Sequence, residues 1–272
     1  MEYVVLANGV KVPIVGLGVS RAKNGEEAIN AIKFALQSGY RHIDTAWRYF
    51  NEESVGIAIK ESGVPREEIF VTTKVANAAV RAGETLENFN DSLEKLGLDY
   101  VDLYLIHWPV DGMCEAWKIM EELYKQGKAR AIGVCNFHQS HLDELMQVAT
   151  IKPMVNQVES NPRFNNAELI KNCQAQDIAM EAWSPLGGGG TSMRTSEDII
   201  KIGEKYGKSP VQVIIRWDIQ RKVIVIPKSV TPQRLIDNIN VFDFELSSED
   251  MEIINSLNQN IRTGGDPDNF DF

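Results

Sequence analysis

A closed barrel of eight strand–helix units, an α/β fold of the (β/α)8 TIM-barrel type, is what this 272-residue sequence predicts, and three features carry the prediction. Short β-rich runs alternate with longer stretches of helical period, the pattern of a parallel sheet with helical crossovers. The strand runs number eight, and those that are apolar throughout suit burial on both faces. No linker or low-complexity block divides the chain, so residues 1–272 are expected to form one domain.

The elements follow in order. A hairpin pairs Tyr3–Leu6 with Lys11–Pro13 around Asn8-Gly9, a dipeptide suited to the positive φ angles of a tight turn. The strands are then IVGLG at 14–18, HIDTA at 42–46, IFVTTK at 69–74 and VDLYLIH at 101–107, followed by ARAIGVC at 129–135, MVNQVE at 154–159, IAMEAWS at 178–184 and VIVIP at 223–227. Between them, stretches such as 26–39, 51–63, 85–97 and 115–127 repeat apolar residues at three and four and close on a glycine, which marks the stop of an amphipathic helix. Two additional helices are expected beyond the simple repeat, at 209–221 and at 247–259, the second opening on Ser247 and Ser248 with Glu249 and Asp250 behind them.

With 43% hydrophobic and 24% charged residues the composition is that of an ordinary globular protein. A formal charge of -10 works against broad contact with nucleic acid or an anionic membrane, because both require clustered cations. Three widely spaced cysteines, Cys114, Cys135 and Cys173, suggest neither a disulfide framework nor a thiolate zinc cage. No signal peptide is recognisable and no run approaches 18 apolar residues, so a cytoplasmic protein without a membrane span is expected.

In barrels of this kind the working residues stand at the carboxyl ends of strands and in the loops that follow. Polar residues interrupt the strands there at Asp44, Lys74, His107, Asn136, Gln157 and Glu159. An unpaired buried charge is costly, so Asp44 and Lys74 on neighbouring strands are expected to neutralise each other. Tyr49, five residues after Asp44, can lean over the same rim. A phenol of pKa about 10 becomes a useful acid only where a nearby cation stabilises its phenolate, and Lys74 can supply that charge. His107 could orient a carbonyl oxygen by hydrogen bonding. Taken alone, the Asp–Lys pair reads equally well as a structural ion pair.

HIDTAWRYFNEESVG, VTTKV, DLYLIHWP, IGVCNF, VNQVESNP, AWSPLG and VIPKSVTPQRLIDN resemble, in order, the signature segments of the aldo-keto reductases, over nearly the whole chain. The short loops VDGMCE and GGGGTSMRT and the short tail GGDPDNFDF are similar to the compact prokaryotic branch that includes diketogluconate reductases. The resemblance implies NADPH-dependent reduction of small aldehydes, ketones, keto acids or sugars, with Asp44, Tyr49, Lys74 and His107 as the catalytic tetrad and Tyr49 as proton donor. It places Asn136 and Gln157 at the nicotinamide amide and Trp183 under its ring. Ser184, Leu186 and Gly187 would run along the pyrophosphate; Lys228, Ser229, Val230, Arg234, Asp237 and Asn238 would surround the adenosine phosphate and adenine. A preference for NADPH over NADH follows from Lys228 and Arg234, two cations for the extra phosphate. No metal is implied, and a monomer is expected. Cys135 and Ala76 depart from the family's usual Ser and Trp, the second implying a wider pocket or one closed by another side chain.

Other signals weigh less. GLG at 16–18 lacks the third glycine of a dinucleotide fingerprint, and Gly18 is read instead as keeping the first loop close to the ligand mouth. His138 and His141, three apart beside Cys135, are read as a helix start rather than a metal cluster. Trp108 and Trp47 are assigned to the substrate pocket, Trp47 with packing as the alternative, while Arg48 suits a substrate carboxylate or a surface salt bridge equally. Two rivals stay open: a barrel that binds NADPH for regulation with little turnover, and a lyase using Lys74 as a Schiff-base nucleophile.

Overall fold

The computed structural model describes residues 2–188 and 193–270. Gly189 and Gly190 of the GGGG run lie outside the described residues. The hairpin forms from β1 (Tyr3–Val5) and β2 (Lys11–Pro13), antiparallel with Val4 opposite Val12. The main sheet comprises β3 (Leu17–Gly18), β4 (His42–Asp44), β5 (Phe70–Val75), β6 (Val101–Ile106), β7 (Ala129–Cys135), β8 (Val155–Glu159), β9 (Ala179–Trp183) and β10 (Val223–Val225). Each strand pairs in parallel with its sequence neighbour, so the eight lie in chain order across the sheet.

The seam closes between the first and last strands. Val15 and Gly18 bridge Val225 and Lys228 in parallel, and the Gly16 N–H donates to the Val225 carbonyl at 2.9 Å. At Gly18 a Cβ would stand 2.8 Å from the carbonyl oxygen of Ile226, closer than a side chain can come, so a glycine here lets the barrel close.

The helices are α1 (Glu26–Gln37), α2 (Glu52–Ser62), α3 (Asn77–Ala82), α4 (Thr85–Leu96), α5 (Met113–Lys125), α6 (Gln139–Met146), α7 (Ala167–Ala175), α8 (Glu197–Tyr206), α9 (Pro210–Gln220), α10 (Pro232–Ile239) and α11 (Ser248–Ser256). Both expected additions are present. Ser209 caps α9 in a reciprocal capping box with Gln212, and the Ser247 hydroxyl accepts from the Asp250 N–H at 3.1 Å at the start of α11. The short α3 and the helix α8 come in addition. None of the helices among the described residues is long and apolar enough to cross a membrane.

The core is one large cluster lining the strands and the inner helix faces, with Trp117, Tyr40, Tyr104 and Phe89 fully buried. A smaller cluster around Ile199, Ile214 and Trp217 packs α8, α9 and α11 together. Both leave the carboxyl ends of the strands open as a working surface.

Candidate active site

A groove of about 670 Å³ opens at that end, floored by Asp44, Tyr49 and His107 and walled by Trp108, Asn136, Gln157, Trp183 and Lys228. A depression of similar volume, about 690 Å³, lies under the N-terminal hairpin, where Arg41 pairs with Glu68 and Arg130 with Asp102. It brings no reactive group together.

Lys74 is wholly inaccessible and its three donors are spent locally: Nζ lies 2.8 Å from both Asp44 carboxylate oxygens and 2.9 Å from the Thr45 carbonyl. Burial is the largest single influence and would lower the ammonium, but the Asp44 charge and hydrogen bond, with Tyr49 and Cys135, together outweigh it and hold Lys74 above its usual range. Burial pulls the Asp44 carboxyl upward, opposed by Lys74 and by the Gln157 amide, which donates to Oδ2 at 2.7 Å. With two good hydrogen bonds between them the pair is ionised.

Tyr49 ends a 3-10 turn, Trp47–Tyr49, which drops its ring over the pair, with Lys74 Nζ 5.1 Å from the ring centroid. Loss of solvation raises the phenol, and Lys74 opposes the rise. The expected lowering is therefore only partial: desolvation wins. His107 faces Tyr49 edge-on at 5.8 Å between centroids, and desolvation together with the Lys74 and Arg48 charges drives its pKa down to about 3. The imidazole is neutral across the physiological range.

The two strand-end amides are more engaged than the sequence suggested. Asn136, in a left-handed conformation at φ 64, donates to the His107 carbonyl at 3.0 Å and to Cys135 Sγ at 3.2 Å, and accepts from the Trp183 indole at 2.8 Å. Gln157 joins Asp44 to the Cys135 thiol, 3.6 Å from its Oε1. Cys135 thus acts as acceptor and donor where a hydroxyl is usual.

Gly18, Ser184, Leu186 and Gly187 line the groove, with Ser184 at φ 49 turning the chain off β9. Ser229, Val230, Arg234, Asp237 and Asn238 lie outside that lining, on α10 and the segment before it. Ser229 accepts from the Thr231 N–H at 3.1 Å and Asp237 from the Gln233 amide at 2.9 Å. Lys228 and Arg234 are exposed and make no ion pair among the described residues.

Trp47 requires correction. Its indole N–H donates to Asp91 and its ring meets Phe50 and the Lys95 ammonium, outside the groove. In a 3-10 turn successive side chains diverge by about a third of a turn, so Trp47 and Tyr49 cannot share a face. Arg48 forms no salt bridge among the described residues and lies over the Phe50 ring at 5.0 Å. Ala76 is buried at 4% exposure, its N–H bonded to Asn88 at 3.1 Å at the start of α3, so it opens no wider pocket.

Ser20, Arg21, Arg194, Thr263 and Gly264 also line the groove and were not singled out in the sequence. The tail residues arrive because Glu159 accepts from the Thr263 N–H at 2.7 Å and the Gly264 N–H at 3.0 Å, and a Cβ on Gly264 would collide with the Trp183 ring. Further along, His138 and His141 both reach Asp268, at 2.7 and 3.2 Å. These donor atoms lie within 4.8 Å of one another, but every ring nitrogen has a partner: His138 Nε2 faces Arg262, and His141 Nδ1 accepts the His138 N–H. The pair clasps the tail.

Residues 14–259 match the Aldo/keto reductase family. Glyoxal reductase of Bacillus subtilis (strain 168) is 53% identical, covering 100% of this chain and 98% of its own length, and Methylglyoxal reductase DkgA of Escherichia coli (strain K12) is 46% identical, covering 97% and 96%. Among solved structures, an aldo-keto reductase enzyme from a deep-sea metagenome library superposes with a TM-score of 0.95 at 47% identity over 99% and 100% of the two chains. The Bombyx mori aldo-keto reductase in complex with NADP gives 0.92 at 37% identity over 98% and 96%. The chain belongs to the aldo/keto reductase family, in its compact prokaryotic form. It is an oxidoreductase that reduces carbonyl compounds with NADP(H), and nothing in its relatives supports a purely regulatory barrel.

Proposed function

We propose that residues 1–272 form one reductase domain in which Tyr49 protonates the carbonyl oxygen of a small aldehyde, ketone, keto acid or keto sugar. The observation that carries this reading is the placement of a fully buried ammonium, fixed by three hydrogen bonds, beneath the ring of Tyr49. A structural ion pair needs no phenol above it. Small dicarbonyls are favoured substrates, in keeping with the names of the glyoxal and methylglyoxal reductases.

The groove fits a nicotinamide dinucleotide: Arg21, Arg194 and Lys228 line it in a protein of net charge -10, and Gly187, at φ 64, leaves backbone open to a phosphate. When bound, NADPH supplies the hydride. Asn136, Gln157 and Trp183 would hold its nicotinamide end, Gly18, Ser184, Leu186 and Gly187 its pyrophosphate. Lys228, Ser229, Val230, Arg234, Asp237 and Asn238 would hold its adenosine end. The preference is for NADPH over NADH, because Lys228 and Arg234 have no acidic partner among the described residues to occupy them. The protein's own chemistry is local. Lys74 stabilises the phenolate as Tyr49 gives up its proton, Asp44 fixes Lys74, and neutral His107 offers a hydrogen bond to the carbonyl oxygen without competing as an acid. Trp108, 4.8 Å from Phe270, walls the substrate side. We place the enzyme in the cytoplasm as a monomer, in keeping with three free cysteines and an acidic surface unsuited to nucleic acid or membrane.

Loss of NADPH absorbance with glyoxals, aromatic aldehydes and keto acids tests the reading. Tyr49→Phe is expected to lose activity by at least about a hundredfold, with NADPH affinity within a few-fold of wild type. Retention of most of the ketone turnover would remove Tyr49 from the proton-donor role.

A further inference from the structure

One buried acid stands outside this scheme. Glu181, in the middle of β9, is wholly inaccessible, and neither carboxyl oxygen has a hydrogen-bond partner. His42 on β4 faces it, with Nε2 3.8 Å from Oε1. Strands β4 and β9 are not paired, so this contact crosses the interior of the barrel.

The strand period fixes what lies above. Side chains two residues apart share a face, so His42 lies one layer below Asp44 and Thr72 one layer below Lys74. His42 Nε2 is 3.1 Å from Thr72 Oγ1, which makes these residues one layer, and Glu181 is packed into it. A Cβ on Gly16 would meet His42 Nδ1 at 2.6 Å, so the imidazole is held tightly against the first strand. Glu181 therefore occupies the floor directly under the Asp44–Lys74 pair.

The charges in this interior can be counted. Lys74 and Asp44 cancel; His42 from β4 is neutral, its pKa driven down to about 3 by burial; and burial keeps the Cys135 thiol of β7 protonated. An ionised Glu181 would add a second anion where the Gln157 amide and the Lys74 ammonium are already bonded to Asp44, a costly arrangement that a proton avoids.

We propose that Glu181 sets the alkaline limit of carbonyl reduction: as a neutral acid beneath Asp44 it leaves Lys74 to the phenolate of Tyr49, and as a carboxylate it becomes a competing anion. This role rests on the assignment of Tyr49 as proton donor. Burial first, and then the Asp44 charge, raise Glu181 to about 8, with Lys74 and Gln157 opposing. Above that pH the carboxylate competes for Lys74, the phenolate becomes harder to form, and reduction slows.

The test is the pH dependence of kcat for an aromatic aldehyde under saturating NADPH, from pH 6.5 to 9.5, in wild type and in Glu181→Gln, whose amide has the shape of the neutral acid. Wild type is expected to fall by about tenfold along a one-proton limb centred near pH 8, as one added charge in a partly screened interior would produce. Glu181→Gln is expected to keep its neutral-pH kcat within about threefold and to lack that limb. A limb shared by both proteins, a wild type without one, or a parallel loss at every pH would overturn the proposal. Glu181→Met carries the same readout should the amide variant fail to fold. Failure of both would show the carboxyl to be structurally indispensable, which contradicts a group whose neutral form makes no bond. Tyr49→Phe tests the underlying assignment separately, since its loss is expected at all pH values.

Discussion

Replacing Lys74 by Met would expose how the buried pair divides its work between stability and chemistry. The substitution removes the donor at 2.8 Å from each Asp44 oxygen and at 2.9 Å from the Thr45 carbonyl. Asp44, 2% exposed, would keep one donor, the Gln157 amide at 2.7 Å. Breaking a buried pair from one side costs about 3–5 kcal/mol when the other charge stays ionised. Asp44 can escape part of that cost by taking up a proton, because burial already pulls its carboxyl upward and no ammonium then opposes the shift. A carboxyl raised above its unfolded value imposes no penalty below the unfolded pKa of 3.8, and a growing one as the pH climbs to the folded value. Urea unfolding followed by circular dichroism should therefore show a gap between Lys74→Met and wild type that widens from pH 5 to pH 8. Turnover at neutral pH should fall by about 10²–10⁴, the range assigned to positioned proton transfer. A stability gap independent of pH would refute an ionised Asp44–Lys74 pair, and turnover within tenfold of wild type would detach Lys74 from Tyr49.

Two further outcomes follow from exposed and buried positions respectively. Arg234→Ala should weaken NADPH by about one to two decades and leave NADH nearly unchanged, since Asp243 is taken up by Lys208 at 2.6 Å and Asp237 by Gln233, leaving the guanidinium for a phosphate; a parallel loss for both cofactors, measured by fluorescence titration, would take Arg234 off the phosphate. Ala76→Trp should destabilise the protein by about 1–3 kcal/mol or more through overpacking under α3 and lower turnover for large and small carbonyls alike, whereas a selective loss for bulky substrates in steady-state kinetics would show that Ala76 borders the pocket after all.

Most of the barrel could be read from the chain because its strands are local signals: runs of five to seven residues between helix stops, each pairing with the next in sequence. The Asp44, Tyr49, Lys74 and His107 constellation was legible for the same reason, since the barrel rule sends the carboxyl ends of neighbouring strands to one mouth. What escaped depends on contacts the chain does not announce. Trp47 and Tyr49 are two residues apart, and only the tightness of the 3-10 turn separates their faces. Asp268 meets His138 across 130 positions, so spacing could not supply it. Glu181 was legible as part of a strand but not as an orphan acid, because its isolation is a property of the opposite wall, where His42 and Thr72 bond each other instead.

The tail makes this long-range dependence functional. It is tied down at two points, by Glu159 to Thr263 and Gly264 and by His138 and His141 to Asp268. Each anchor lies two residues beyond a groove amide on the same strand end, Glu159 after Gln157 and His138 after Asn136. At the first anchor Gly264 packs against Trp183, and beyond the second Phe270 meets Trp108, so one short segment touches both the wall assigned to the nicotinamide and the wall assigned to the substrate. The Trp183 indole in turn bonds Asn136, and Asn136 bonds the His107 carbonyl. A shift of the tail therefore has a continuous path of hydrogen bonds and ring contacts to the residues around Tyr49. Packing thus links the tail to the groove amides, even though no tail residue belongs to the tetrad.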